Sequence, residues 1–577
     1  MAERSLARRI AARLDQTYEY DREPVTEENL QPGRYFAGTF AGEHTAGTEF
    51  VIGASFVSWG AAPGDVILGL LVGNLLAVLS WVFVCSPIAI DTRLTLYWYL
   101  RKITGPIVTV IYNVLNAFLY CILAGAMITV SASAVRIPFG IEPQTGWFPD
   151  DWRFVIVALF VGGVVTTIAI MGFKRLAQFA SVASPWLLIM FLAGGIATLP
   201  YLASQVEGVG AITSFADFWK IAGEEIWRGQ TAAGETGIGF WHVAFFAWIC
   251  NLAMHIGLSD MAILRYAKRV SYGFYSAFGM YLGHYLAWIG AGIMGAAAAH
   301  YLNQPLVELD AGAVAFYSLG ICGAIAVVIA GWTTSNPTMY RAGLALQAVT
   351  PGWPRWAVTL AAGTVTTVIA CSPFVFKHLL NFVAIYGLLL MPVGTIVFME
   401  HWVFPRIGLT RYWSSKKGSL FNWPALVSWA VAVGVSFALW KTDTLHQFFL
   451  LIPAWIITAV LYVFLAWLAG AAKVSAEEED AEELPNVEAA ESGGGKRVQT
   501  GPGAGASKEN PLVYWGLLGV AILSLALCFV LPVWVFVQGQ EGFEANFEWL
   551  KSALIWLTVI YFVSGTIWSY TTGKSEA

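Results

Sequence analysis

The chain of 577 residues is 57% hydrophobic and 15% aromatic, and only 12% of its side chains are charged. A soluble domain carries about twice that share of charged residues. The composition therefore excludes a soluble globular protein and predicts an integral membrane protein. The net charge of -5 at pH 7 decides little, because orientation in a membrane depends on where Lys and Arg lie rather than on the overall balance.

Residues 1–36 form a predicted N-terminal segment outside the membrane. They are polar and charged, and they lack the apolar run of a secretory signal peptide. We therefore expect this segment to be retained and to lie in the cytoplasm.

Twelve apolar runs within residues 37–471 predict a membrane core, and we number them span 1 to span 12. Each run is long enough to cross the ~30 Å of hydrocarbon in a bilayer. The predicted spans are 44–62, 66–88, 105–135, 153–172, 177–200, 238–258, 272–300, 312–346, 355–373, 378–404, 421–440 and 447–471.

A linker and a terminal hairpin follow the core. Residues 472–510 are acidic and rich in Gly, Ser and Ala, with little that could be buried. This composition is typical of a disordered segment, so we expect a cytoplasmic linker that is a candidate docking segment for a cytoplasmic partner. Spans 13 and 14 are predicted at 511–537 and 547–571, within a C-terminal hairpin and tail over residues 511–577.

The charges of the loops predict the orientation. Lys and Arg follow spans 2, 4, 6, 10 and 12, as at Arg101, Lys174 and Arg265, whereas opposite loops such as "VELDAGA" and "GQEGFEANFE" are acidic. Cytoplasmic loops carry the excess of basic residues. We therefore expect a multi-pass protein of the cell inner (plasma) membrane with both termini in the cytoplasm.

The stretch "GWTTSNPTMY", Gly331 to Tyr340, places polar residues and a proline inside span 8. Such a stretch is expected to face a hydrated cavity lined by protein, because polar groups in lipid need partners. Thr333, Thr334 and Ser335 offer hydroxyl oxygens, and Asn336 offers an amide oxygen. Such neutral oxygens bind a hard cation such as Na⁺. The alternative is a proline kink whose threonines bond back to their own helix.

Glu49 lies within the apolar run of span 1, between Gly47 and Gly53. A carboxylate at the middle of a bilayer costs several kcal/mol unless it is paired or protonated. Glu49 is therefore a candidate solute-binding residue, and it could carry a proton as a coupling ion. The alternative is a structural Glu that bonds interior hydroxyl groups or lies near the end of a span.

Span 6 carries Trp248, Asn251 and His255 at helical spacing, so we expect the three on one face. They are candidate solute-binding residues. The alternative for His255 is a hydrogen-bond donor between packed helices.

Span 3 places Asn113, Asn116 and Tyr120 three and four residues apart, as a polar stripe on an apolar helix. The stripe is a second group of candidate solute-binding residues. The alternative is hydrogen bonding between neighbouring helices.

Enzymatic chemistry is not indicated. No motif pairs a nucleophile with a base, and the six cysteines lie in predicted spans without metal-ligand spacing. We expect no enzyme, no cofactor and no nucleic-acid partner.

Several stretches resemble the nucleobase:cation symporters, the family of purine, cytosine, allantoin and hydantoin permeases. After span 2, "TRLTLYWYLRKITG" is similar to the family's T-G-L...R...G signature, and "MGFKRLAQFASVASPWLLIM" is similar to its entry to span 5. "RYAK" resembles the end of its span 6, and "GWTTSNPTMYRAGLAL" resembles its span 8. The resemblance covers about residues 30–471 and leaves the terminal hairpin aside.

The resemblance implies a LeuT-like fold of two inverted five-helix repeats, with spans 1 and 6 unwound near the membrane midplane. It also implies a Na⁺ site between backbone carbonyls of span 1 and the span 8 residues Ala330, Thr333 and Thr334. Family members stack a flat heterocycle between aromatic side chains of spans 3 and 6. Here Asn116 stands at the span 3 position, which favours a smaller or more polar solute.

The expected function is therefore secondary active transport: cation-coupled symport, with Na⁺ or H⁺, of a small polar solute such as a nucleobase, a related nitrogen heterocycle or a ureide. The alternative is a transporter-derived membrane sensor or scaffold that binds a ligand without transporting it. The expected partners are the solute and the lipid bilayer. The candidate solute-binding residues are Glu49, Asn113, Asn116, Tyr120, Trp248, Asn251, His255 and Asn336.

Overall fold

The computed structural model describes residues 19–144, 146–474 and 511–575. The elements in these ranges are helices, apart from loops and two isolated bridges, which confirms the predicted all-α bundle. Ten of the described helices are long and apolar enough to cross a membrane. Residues 1–18 and 475–510, which hold half of the predicted N-terminal segment and most of the predicted linker, lie outside the described ranges.

Most spans lie where the apolar runs predict them. Spans 2 to 5 are Pro63–Thr92, Leu96–Val135, Trp152–Ile170 and Phe173–Ala203. Spans 7 and 9 to 12 are Val270–Leu302, Arg355–Ala370, Leu379–Arg406, Trp423–Lys441 and Gln447–Leu468. Spans 13 and 14 are Pro511–Val537 and Gly539–Ser575. A short helix that the sequence did not predict, Phe215–Ile221, lies between spans 5 and 6.

Span 1 is longer than predicted and is broken. It consists of span 1a (Gly33–His44) and span 1b (Glu49–Ser58), joined by residues 45–48. The predicted start at residue 44 is wrong, because Arg34, Glu43 and His44 lower the apolar signal of a helix that is nevertheless packed inside the protein. The break itself agrees with the fold that the family resemblance implies.

Span 6 is broken as well. Span 6a is Phe240–Ile249, and span 6b consists of two single turns, Leu252–His255 and Met261–Leu264. Because the helix ends at Ile249, Trp248 and His255 do not share one helical face. The expectation of a single polar face in span 6 is therefore wrong.

Span 8 is one continuous helix, Ile321–Val349, that runs through Pro337. The predicted start at residue 312 is wrong, because Gly320, with φ of 62°, separates a short helix, Ala311–Leu319, from the span. The hydroxyl groups of the polar stretch are satisfied within the helix, because they bond to carbonyls about one turn earlier, for example Ser335 to Gly331 at 2.7 Å.

The two broken spans lie at the centre of the bundle. Span 1a packs against spans 5 and 7, span 1b against span 7, and span 6a against span 2. Spans 3 and 8 run along each other on the remaining side. The backbone breaks of spans 1 and 6 are therefore enclosed by protein, where irregular backbone is tolerated at membrane depth.

The terminal hairpin packs on the outside of the bundle, against spans 5 and 8. The Trp186 indole of span 5 donates to the Thr558 hydroxyl of span 14 at 3.0 Å, and the Tyr561 hydroxyl donates to the carbonyl of Val182 at 2.7 Å. Leu550 and Leu554 of span 14 are fully buried in this contact. The hairpin thus covers the face of span 5 that would otherwise meet lipid.

Candidate functional site

A small cavity of about 50 Å³ lies between the two helix breaks. It is lined from span 1 by Glu43, His44, Thr48 and Glu49, and from span 6 by Asn251. The remaining lining residues are Ala46 and Ile52 of span 1, Cys250 and Met254 of span 6, and residues of spans 3, 7, 8 and 10 that include Met127, His284, Thr334, Thr338, Leu379, Val383 and Tyr386. The lining thus includes spans 3 and 6, between which the family resemblance implies that the solute binds, together with spans 1, 7, 8 and 10.

A wide vestibule of about 800 Å³ opens on one side of this cavity. It lies among the loops that follow spans 3, 7, 9 and 11, which are the predicted external loops. Thr48, Ile52 and Leu379 line both spaces. These three residues therefore form the thin layer between the cavity and the vestibule.

The opposite side of the cavity is closed by a buried ion-pair cluster, which we call the floor: Glu43 of span 1a, Asp260 of span 6b and Arg341 of span 8. The Arg341 guanidinium donates to both carboxylate oxygens of Glu43, at 2.6 and 3.0 Å, and its Nε donates to Asp260 at 3.0 Å. The indole of Trp81 donates to the other oxygen of Asp260 at 2.6 Å. One arginine therefore ties the inner halves of both broken spans to span 8.

Glu49 is the first residue of span 1b, and only 3% of it is exposed. Its carboxylate accepts a hydrogen bond from the indole of Trp288 in span 7. The nearest imidazole nitrogen, Nε2 of His284, is 3.7 Å away, and the ring of His284 lies 5.1 Å from that of His44. The carboxylate therefore meets the cavity beside two imidazoles.

The span 8 residues of the predicted cation site lie on one turn that faces span 1a. The Thr334 hydroxyl donates to the carbonyl of Glu43 at 2.8 Å and to that of Ala330 at 3.1 Å. The Thr333 hydroxyl donates to the carbonyl of Ala330 at 3.0 Å. Four neutral oxygens from two helices are thus gathered at one point, and their role as cation ligands stays a prediction.

The polar stripe of span 3 is buried but does not line the cavity. The Asn113 amide donates to the carbonyl of Tyr97 at 3.0 Å, across the bend of span 3 at Gly105, and Tyr120 shares a hydrogen bond with Ser259. The amide atoms of Asn116 have no hydrogen-bond partner within the described ranges. These bonds agree with the packing alternative, and a role of the stripe in solute binding stays a prediction.

Of the span 6 candidates, only Asn251 lines the cavity. Trp248 donates to the Ser80 hydroxyl at 3.0 Å, and Nε2 of His255 donates to the carbonyl of Trp248 at 3.0 Å, across the helix break. Asn336 of span 8 is buried away from the cavity, and its amide atoms have no partner in the part of the chain that the structure describes. The structure thus separates these candidates instead of collecting them.

Sequence reasoning missed the floor and the two histidines. Glu43 and Asp260 lie near predicted span ends, and Arg341 follows the polar stretch of span 8. Each is weak evidence alone. The available signal was that three charged residues within otherwise apolar helices need partners, since charges in such helices pair with one another.

Comparisons with known proteins identify the fold. No protein-family model and no curated protein sequence matches the chain. Among solved structures, the chain is similar to Mhp1, a nucleobase-cation-symport-1 family transporter in a closed conformation with bromovinylhydantoin bound. The TM-score is 0.60 and the sequence identity is 18%, over 80% of this chain and 98% of that chain. A Na⁺-coupled sialic acid symporter, in a substrate-bound outward-open state, is similar with a TM-score of 0.54 and 13% identity, over 81% of this chain and 97% of that one.

The chain is therefore a multi-pass membrane protein with the LeuT-like fold of cation-coupled symporters. The resemblance to the nucleobase:cation symporters is confirmed at the level of the fold, and an identity of 18% fits a divergent relation.

Proposed function

We propose that the protein is a secondary active transporter that carries a small polar solute together with a cation. The observation that carries the proposal is the arrangement around the cavity: a thin layer toward the vestibule and an ion-paired floor on the other side. Alternating access requires a central site that reaches one side at a time. The fold of two cation-coupled symporters supports the same function.

The solute is proposed to bind in the cavity between the breaks of spans 1 and 6. Broken helices present backbone groups and helix ends to a ligand, which intact helices cannot do. The lining supplies Glu49, His44, His284 and Asn251 as polar contacts. Release to the other side requires spans 1a and 6b to leave Arg341, because that residue holds both.

The coupling cation is proposed to bind at the carbonyls of Glu43 and Ala330 and the hydroxyls of Thr333 and Thr334. Hydroxyl and carbonyl oxygens suit a hard cation such as Na⁺. The short contact between Thr334 and the Glu43 carbonyl joins span 8 to span 1a, so a cation bridging the two would favour the state in which the inner half of span 1 stays closed. Proton coupling through Glu49 is the second candidate, because that carboxylate lines the same cavity.

Binding of radioactive sodium to the purified protein tests the cation site without knowledge of the solute. Thr334→Ala removes one ligand, and we expect about tenfold weaker sodium binding, as for one lost bond to a charged group. The matched control is Thr364→Ala, because the Thr364 hydroxyl lies on the outside of span 9 and, within the described residues, bonds to the carbonyl of Leu360 in its own helix. Equal sodium affinity in the two variants would show that the cation does not bind at this site.

The sensor or scaffold alternative predicts binding without exchange. A thermal-shift screen of nucleobases, ureides and amino acids, with and without Na⁺, identifies bound solutes because specific ligands raise the melting temperature by mass action. A solute that stabilises the protein in detergent but shows no exchange in proteoliposomes supports the sensor.

A further inference from the structure

We propose that the solute is a small nitrogen cation of the ammonium, amidinium or guanidinium class, and that Glu49 is the counter-charge that recognises it. This inference rests on the proposed transport function, and it names the chemical class of the solute of the same cavity.

The first step is the charge around the cavity. Arg341 is fully buried and is committed to Glu43 and Asp260, so one positive charge faces two carboxylates in the floor. Glu49 adds a third carboxylate. If all four groups are ionised, the surroundings of the cavity carry a surplus of negative charge.

The second step is that Glu49 lacks a fixed cationic partner. In the described ranges, no Lys or Arg lies within ion-pair distance of its carboxylate, and its contacts are the Trp288 indole, the backbone N–H of Ala46 and the more distant His284. An indole is a neutral donor, and an imidazole is charged only when protonated. A buried carboxylate of this kind needs a positive partner or a proton, and the adjoining cavity is where such a partner fits.

The third step is a set of polar atoms without partners in the cavity wall. Nδ1 of His284 and Nε2 of His44 are buried, and neither has a hydrogen-bond partner within the described ranges. Nδ2 of Asn251 is unpaired there as well, but it is a donor and does not bond to the N–H groups of a cation. Buried polar groups are nearly always satisfied in a native protein, and exceptions point to an unseen water, ion or ligand. A cation with several N–H groups satisfies the carboxylate and the acceptor nitrogen of either imidazole together.

The fourth step is that the cavity wall offers little aromatic surface on which a flat solute could stack. Within the described residues, the cavity wall contains no tryptophan, and its aromatic side chains are those of Tyr386, His44 and His284. The Trp288 indole lies against the ring of His284, with centroids 4.2 Å apart and an interplanar angle of 16°. Flat apolar contact with a large heterocycle is therefore limited, and recognition depends on charge and hydrogen bonds.

A matched pair of probes tests the proposal in the unmodified protein. Guanidinium and urea have nearly the same planar shape, but only guanidinium is charged. At low millimolar concentration neither acts as a denaturant, so a rise in melting temperature reports binding. With sodium and chloride held constant, we expect guanidinium to bind at least about tenfold more tightly than urea, because hydrogen bonds that join two charged groups are the stronger ones.

Glu49→Gln keeps the shape of the side chain and removes its charge. We expect about a hundredfold loss of guanidinium affinity, as for one partner of a buried charge pair, and little change for urea. The matched control, Glu207→Gln, alters an exposed carboxylate in the loop after span 5, and it should leave both affinities unchanged.

Equal binding of guanidinium and urea by the unmodified protein would overturn the proposal, and this comparison does not depend on whether the Glu49 variant folds. A Glu49→Gln protein that folds and keeps its guanidinium affinity would overturn it as well. Exchange of neutral solutes such as hydantoin without exchange of guanidinium would leave the transport function standing while this inference falls. Binding of guanidinium without exchange of any solute would support the charge recognition and remove the transport function.

Discussion

Replacing Arg341 by Met removes the cation of the floor and leaves two buried carboxylates unpaired. The guanidinium contacts Glu43 at 2.6 Å and Asp260 at 3.0 Å. Breaking a buried pair by removing one partner costs about 3–5 kcal/mol. This cost destabilises only the state in which the floor is closed. In the state open on the floor side, the two carboxylates move apart into a hydrated passage and are solvated by water.

The expected result is a shift of the population toward the state that is open on the floor side. A change of about 3 kcal/mol alters a two-state ratio roughly hundredfold. Arg341→Lys keeps a charge but loses the fork that reaches both carboxylates, so we expect a smaller shift in the same direction.

The native Cys250 reports this shift because it lines the cavity and is buried. In a protein that retains Cys250 as its single cysteine, labelling by an impermeant maleimide is measured in vesicles of each orientation. We expect labelling from the floor side to rise at least about tenfold in Arg341→Met, a conservative bound on the population shift.

The matched control is Arg136→Met. Arg136 is also buried and pairs with Asp310 at 2.7 Å, but that pair lies on the vestibule side of the protein. Equal labelling of Cys250 from the floor side in the two variants would refute the reasoning that the ion pairs close the cavity.

Two further predictions follow from contacts of span 1b. Trp288→Phe removes the indole that donates to Glu49, and it should weaken guanidinium binding about tenfold, as for the loss of one hydrogen bond to a charged group. The control Trp186→Phe, at the hairpin contact, should leave guanidinium affinity unchanged in the same thermal-shift titration. Equal guanidinium affinities in the two variants would show that the Trp288 indole takes no part in recognition. Gly53→Ala places a methyl group 2.4 Å from the carbonyl oxygen of Trp288 and should destabilise the protein by about 1–3 kcal/mol, which lowers its melting temperature. The control Gly434→Ala has no neighbour within 4 Å of the added atom and should be neutral or slightly stabilising. An unchanged melting temperature for Gly53→Ala would contradict the close packing of spans 1b and 7.

The apolar runs predicted the spans that are apolar along their whole length, and they failed where a span is polar inside the protein. Spans 4 and 13 were placed within a few residues, because lipid-facing helices must be apolar. The start of span 1 was missed because span 1a carries Glu43 and His44 and is shielded by other helices, so hydropathy does not describe its surroundings. Span 8 is continuous through Pro337, and its hydroxyl groups bond back to carbonyls of their own helix, as the second interpretation of the polar stretch expects.

The candidate site was predicted in part. Glu49, Asn251 and Thr334 were singled out and line the cavity, because a polar side chain in an apolar run points to a protein-lined space. Asn113 and His255 were singled out by the same signal, but they bond to backbone carbonyls of the bundle and do not line the cavity. The sequence does not distinguish the two outcomes, because the partner of each polar group comes from a distant part of the chain.

Counterflow in proteoliposomes tests the central claim most directly, namely that the cavity between spans 1 and 6 passes its solute across the bilayer. Vesicles loaded with unlabelled guanidinium are diluted into a trace of labelled guanidinium in the presence of Na⁺. The account predicts a transient accumulation of label inside that is slower in Thr334→Ala and absent in Glu49→Gln. Binding of guanidinium by the purified protein without any accumulation of label would contradict it.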